Sequence, residues 1–314
     1  MTVLWFALRS WTGRLGLALV GILVVAVAVS YVWVPYDPAR VTPGDDWLPM
    51  SVDHWFGTDA AGKDLFSLVL VGARVSLFVA IASSLIAGVI GLALGVLSAI
   101  TPRYVGEPLA YFIDVLIAIP TLVLALVLVG LFEGSLVTVS IAIGFGSGVV
   151  LARIVRAEVS RVLTQDYITA ADASGTSTGR TVLRHILPNI APIAIVQLSL
   201  IASLAILAEA ALSYLGLTSR SRPSLGRTLG ELQNTVTVHP GAIIFPGVVL
   251  VLASLGFNLL GDGLRDATDP RLRSGGPTPM GPTTPVALRP ASTAVVNPLI
   301  PGAPIPTPTN RPGR

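Results

Sequence analysis

The chain has 314 residues, of which 53% are hydrophobic and 12% charged, against a globular norm of about 25% charged. With a mean hydropathy of +0.78 it reads as a polytopic membrane protein. The lack of cysteine excludes disulfides, thiolate nucleophiles and iron–sulfur ligation. Three scattered histidines (His54, His185, His239) give no local zinc spacing, and a formal charge of +3 is too small to suggest a nucleic-acid binder.

A hydrocarbon core about 30 Å thick takes roughly 20 apolar residues of helix. Six stretches of suitable length and low charge follow one another: 15–34, 75–100, 115–132, 134–152, 190–208 and 240–261. The first is read as a retained helix, because its apolar run exceeds the roughly 7–15 residues of a secretory signal and no small-x-small cleavage site follows Tyr31. Glu133 alone parts the third and fourth, which predicts a tight hairpin at 132–135 and a third helix beginning before Asp114. Ser84, Gly88, Gly91 and Gly95 in the second stretch, with Gly144 and Gly148 in the fourth, let helix backbones approach closely, either within the chain or against a second membrane subunit. Pro120, Pro192 and Pro246 fall inside spans and predict kinks. Polar groups at membrane depth are few: Asp114, Gln197, Glu209 and Asn258. Both acids fall within about a turn of an interface, where paired structural roles are expected and proton coupling near the midplane is not.

Six spans put both termini on one side. Grouping the termini with the second–third and fourth–fifth connections collects fourteen of the twenty basic residues, and the opposite side holds six, among them Arg40, Lys63 and Arg74. This asymmetry predicts cytoplasmic termini. Beyond Arg273 the composition changes: residues 274–314 hold eleven prolines and five glycines with no aromatic and no acidic residue, the pattern of a disordered cytoplasmic tail.

No catalytic chemistry emerges. GTDAAGKD (residues 57–64) matches all but the last position of the phosphate-loop pattern, where Asp64 replaces the hydroxyl residue; Asp59 adds a second negative charge, and no apolar strand precedes the loop. There is no G-x-S-x-G, no H-E-x-x-H and no dinucleotide turn. The segment 153–189 is too polar to span yet rich in helix formers. Ala171, Gly175 and Gly179 recur every four residues, so a short helix through them would present a smooth stripe to a groove on another protein, or merely a surface with small residues.

Four strings carry a family resemblance. YITAADASG (167–175) followed by RHILPN (184–189) resembles the E-A-A-x-x-x-G…LP signature of permease subunits in ABC importers. HWFGTDAAGKDLFS (54–67) with GARVSL (72–77) is similar to the first outer loop of the dipeptide/oligopeptide and nickel branch of that family. EAALSYLGL (209–217) with PSLGRTL (223–229), and FNLLGDGLRDATDPRLR (257–273), resemble the branch's last outer loop and ending.

The resemblance implies an all-α fold of six transmembrane helices with a cytoplasmic coupling helix between spans four and five, the type I importer permease. It implies three parts: an N-terminal helix and outer loop (1–74), a five-helix core (75–273) including the coupling segment 153–189, and the tail 274–314. Thr169, Ala170, Ala171, Asp172, Gly175, Gly179, Leu187 and Pro188 would form the ATPase-coupling surface. Phe56, Gly57, Thr58, Asp59, Gly62, Asp64, Gly72 and Arg74 would form the outer-loop motif. Thr169 stands where the signature has glutamate, which puts a charged contact there in doubt. The implied partners are a homologous second permease, one or two ABC ATPase subunits, an extracytoplasmic peptide-binding protein and membrane lipid, with no nucleic acid. No cofactor, metal or catalytic residue is expected in this chain; ATP and magnesium belong to the ATPase subunits. The implied location is a prokaryotic cytoplasmic membrane. Import of nickel chelates or another small solute is the alternative within the branch. A secondary carrier and a membrane receptor are the alternatives outside it, the latter disfavoured by short outer loops.

Overall fold

The computed structural model describes residues 10–218 and 222–268, all within one compact unit, Met1–Arg273. Every regular element among them is helical: α1 Trp11–Val32, α2 Leu65–Ile100, α3 Arg103–Ile117, α4 Thr121–Leu131, α5 Leu136–Leu163, α6 Asp166–Ala173, α7 Thr178–Thr181, α8 Leu187–Tyr214, α9 Leu225–Leu232 and α10 Pro240–Thr268. A π-helical turn, Val182–Ile186, joins α7 to α8. The expected tail, 274–314, lies outside the described residues. The expected division at 74/75 falls inside α2, which starts ten residues earlier than the charge-free count because Asp64 caps it: Oδ2 accepts hydrogen bonds from the Ser67 amide (2.8 Å) and hydroxyl (2.6 Å).

Among the described residues, five helical segments are long and apolar enough to cross a membrane, and α3 with α4 makes a sixth if the pair counts as one span. That third span is not the continuous helix expected at 115–132. The pair bends by 78° at 118–120. Pro120 has no amide hydrogen to continue the ladder, so α4 restarts after it. Pro192 and Pro246, by contrast, lie inside continuous helices. Asp114 stands on α3 with its Oδ1 3.7 Å from Arg153 Nε of α5, an exposed pair that contributes little.

Helix packing fixes which ends meet. Three glycines of α2 and α5 serve the contact between those two helices: a Cβ on Gly91 would strike the Leu151 side chain, one on Gly95 Val155, and one on Gly144 Ile86, while Gly88 faces Leu198 of α8. The small-residue spacing is therefore consumed by packing within the chain. One core cluster joins α2, α5 and α8 through Ala87, Leu151, Val155 and Ile190; a second adds α4 through Ala125 and Val129. A third lays α1 and α10 on the other face through Leu23, Val27, Ile206 and Ala253. The antiparallel contacts place the start of α1, the end of α10 and the segment 164–189 at one end of the bundle, the turn end. Residues 33–64, α9 and the start of α10 form the other, the plate end.

Candidate functional site

At the turn end, α5 stops at Leu163 and the chain reverses into α6. Ile168 of α6 is buried in the same cluster as Val159 and Val162 of α5 and Ile186 and Ile190 at the base of α8. Asn189 Nδ2 donates to the Tyr167 hydroxyl (3.2 Å) and to the His185 carbonyl (2.7 Å), which ties α6 to α8. The small helix is thus fixed to two spans while its far side stays open.

The single helix expected through Ala171, Gly175 and Gly179 is not formed. α6 ends at Ala173, and Gly175 takes φ +75°, the left-handed turn that halts a helix. The Thr176 amide donates back to the Ala171 carbonyl (3.1 Å) and the Ser174 amide to Ala170 (3.1 Å), closing the turn. Gly179 belongs to the next helix, α7. The i, i+4 reading assumed continuous helix, and a glycine in that spacing is also the residue best suited to end one.

What survives is a knuckle of small residues. Thr169, Ala170, Gly175, Gly179 and Pro188 are exposed, and Ala171 and Leu187 are half-buried. A Cβ at Gly175 or Gly179 would meet no atom within 4 Å. Of the expected coupling residues, Asp172 has its backbone on α6 and its side chain outside the description. Such a surface lets another backbone approach closely.

At the plate end the sequence motif is consumed by its own loop. Asp59 Oδ1 accepts the amides of Ala61 (2.8 Å) and Lys63 (2.9 Å), so the backbone donors that a phosphate would need are taken by a carboxylate. Thr58 Oγ1 donates to the Asp45 carbonyl (2.5 Å) and accepts the Leu48 amide (2.8 Å). Gly62 has φ +70° and packs against the Thr42 carbonyl, leaving no room for a side chain. Asp64 adds to its capping role a contact with His54 Nδ1 at 3.0 Å, and His54 stacks on Tyr36 (4.7 Å). Phe56 stacks on Phe245 (4.1 Å), which fastens the loop to α10, and Gly72 accommodates Leu225 at the start of α9. Arg74 Nε donates to Ser30 Oγ (2.6 Å), its Nη2 to the Ser30 carbonyl, and its guanidinium lies 4.4 Å over the Tyr31 ring.

Sequence reasoning understated Glu209. It is fully buried on α8, with Oε1 accepting from Ser213 Oγ at 2.6 Å. It faces a cavity of about 590 Å³ at the plate end, lined also by Arg74, Ser224 and Arg222. Its position near an apolar stretch's edge suggested an interface, and nothing local in sequence signalled a cavity. No cluster of three or more metal-ligating residues occurs among the described residues.

Comparison with known proteins bears on both ends. Residues 91–274 match the family model "Binding-protein-dependent transport system inner membrane component". The dipeptide transport system permease protein DppC of Alkalihalophilus pseudofirmus is 37% identical over 238 residues, 75% of this chain and 78% of that protein. The oligopeptide transport system permease protein OppC of Bacillus subtilis is 35% identical over 263 residues, 82% of this chain and 86% of that one. In fold, a chain of the MetNI methionine ABC transporter in an inward-facing conformation superposes with a TM-score of 0.55 at 19% identity, covering 64% of this chain and 97% of that one.

Proposed function

The chain belongs to the family of inner membrane components of binding-protein-dependent transport systems, and we propose that it is the permease subunit of an ATP-driven importer of short peptides. The observation that carries the substrate class is the identity of 35–37%, over most of the chain, to permeases of dipeptide and oligopeptide systems. The chain forms half of the translocation pathway, and a homologous permease supplies the other half. One or two ATPase subunits bind and hydrolyse ATP with magnesium, and an extracytoplasmic binding protein delivers the solute. No catalytic step is assigned to this chain.

The turn end suits the coupling role. The knuckle of Ala170, Ala171, Gly175 and Gly179 docks in a cleft of the ATPase. Because Ile168 and Asn189 hold α6 against α5 and α8, a displacement imposed on α6 moves both spans together. Rigid-body coupling of this kind switches a pathway between two arrangements. The fourteen-to-six distribution of basic residues supports a cytoplasmic turn end and an outer plate end. In intact cells an impermeant thiol probe should label Met50→Cys and spare Ala170→Cys in this cysteine-free chain; the reverse pattern would overturn the orientation.

The substrate reading is tested by uptake. Cells lacking the gene should lose accumulation of a labelled dipeptide and regain it with the gene, with dependence on ATP and not on a proton or sodium gradient. Restoration of nickel uptake in place of dipeptide uptake would shift the assignment to the chelate importers.

A further inference from the structure

We propose that the cavity at the plate end is a solute subsite in which Glu209 receives the free amino-terminal ammonium group of the transported peptide. This rests on the peptide-importer reading and adds to it a residue and a recognition chemistry.

The cavity, about 590 Å³, lies within the range of roughly 300–1,000 Å³ typical of small-ligand sites. Apolar walls that include Tyr31 and Phe78 surround a few convergent polar groups, the composition of a binding pocket. Glu209 is fully buried. Its Oε1 is held by Ser213, whose hydroxyl also lies 2.8 Å from Thr218 Oγ1; the Ser224 hydroxyl is a second neighbour of the carboxylate, and Oε2 has no partner at full hydrogen-bond geometry among the described residues. A buried carboxylate attended only by the Ser213 and Ser224 hydroxyls lacks a countercharge, which is costly, and a cationic donor arriving from the cavity would supply it.

The nearby cation does not supply it. Arg74 is turned to α1, where Ser30 takes two of its nitrogens and Tyr31 covers its face. Its role is to fix the wall. Arg222, exposed on the same cavity, is placed to meet an anion. The cavity therefore presents one buried acceptor and one exposed cationic donor, a match for a small zwitterion bearing an ammonium group and a carboxylate. An ammonium group carries three donors, enough for Oε2 and neighbouring hydroxyls. A blocked, uncharged amino terminus lacks that charge.

The test uses the detergent-solubilised complex of both permeases and the ATPase, in which both faces are accessible. Val71→Cys places a single thiol in this subunit on the cavity wall, in a companion background freed of reactive thiols, and a cationic thiol reagent reports its exposure. A dipeptide with a free amino terminus should slow labelling, and its N-acetylated form should protect at least tenfold less well. Adding Glu209→Gln should raise the peptide concentration needed for protection roughly tenfold or more. Equal protection by the two peptides, or none by either, would overturn the subsite, and this comparison decides the matter even if the Glu209→Gln protein does not assemble. Uptake by the same complex is measured in parallel after reconstitution. Import of dipeptide without cavity protection would refute the subsite and leave the importer reading standing, whereas absence of dipeptide import would remove both.

Discussion

At the plate end a Cβ on Gly62 would fall inside contact distance of the Thr42 carbonyl, whereas at the turn end a Cβ on Gly175 or Gly179 meets nothing within 4 Å. The same residue type answers two different demands. In the plate, glycine is required by atoms of this chain: the loop is cross-tied by Asp59, Thr58 and Asp64, and its backbone has no slack. In the knuckle nothing within the chain requires so little bulk at Gly179. The proposed docking of a partner would supply such a requirement from outside the chain.

This comparison can be broken by substitution. The largest effect is expected for Gly62→Val, which combines a left-handed backbone with a backbone clash and should cost more than about 3 kcal/mol. The readout is the yield and thermal unfolding midpoint of the purified complex, and wild-type values for both would show that the plate is looser than described. Asp64→Ala removes the cap of α2 and the His54 contact together, and a loss of about 2 kcal/mol is expected in the same measurement.

Gly179→Trp should behave in the opposite manner. The protein should insert and unfold as wild type, because the space is open, yet its association with the ATPase should weaken roughly tenfold, equivalent to about 1.4 kcal/mol. Pull-down of the ATPase and solute-stimulated ATP hydrolysis measure it, and full coupling in this variant would refute the docking assignment. Gly175→Trp is a less clean probe, since its φ of +75° adds backbone strain to any docking effect. Thr169→Ala should be the mildest, under about 0.5 kcal/mol, because the exposed hydroxyl replaces a charge that the family signature would otherwise place there. A severe loss in that variant alone would move the contact to the other face of α6.

Much of the fold was legible because burial in lipid imposes a local rule. A run of roughly 20 apolar residues must be helical to satisfy its own backbone, and no distant contact is needed to say so. The starts of the helices were less legible. Hydropathy counting placed the second span from 75, but Asp64 capping Ser67 starts the helix ten residues earlier. The bend at Pro120 was half visible: a proline in the span announced a kink, and its 78° angle depends on how α3 and α4 pack on α5. The proposed coupling segment was assigned the wrong local shape, since spacing cannot tell a glycine that smooths a helix from one that ends it.

By itself, then, the sequence determined the all-helical class, the number of apolar stretches, the sidedness of charge and the loop strings that carry the family, because each is a property of neighbours along the chain. Only the tertiary structure decided that Gly91, Gly95 and Gly144 serve the α2–α5 contact and not a second subunit, and that Gly175 turns the chain between two short helices. It alone brought Arg74 of α2, Ser213 and Glu209 of α8 and Arg222 around one cavity. Those outcomes join residues from helices far apart in the chain, and they follow from shape and hydrogen-bond geometry in three dimensions, which no local pattern encodes.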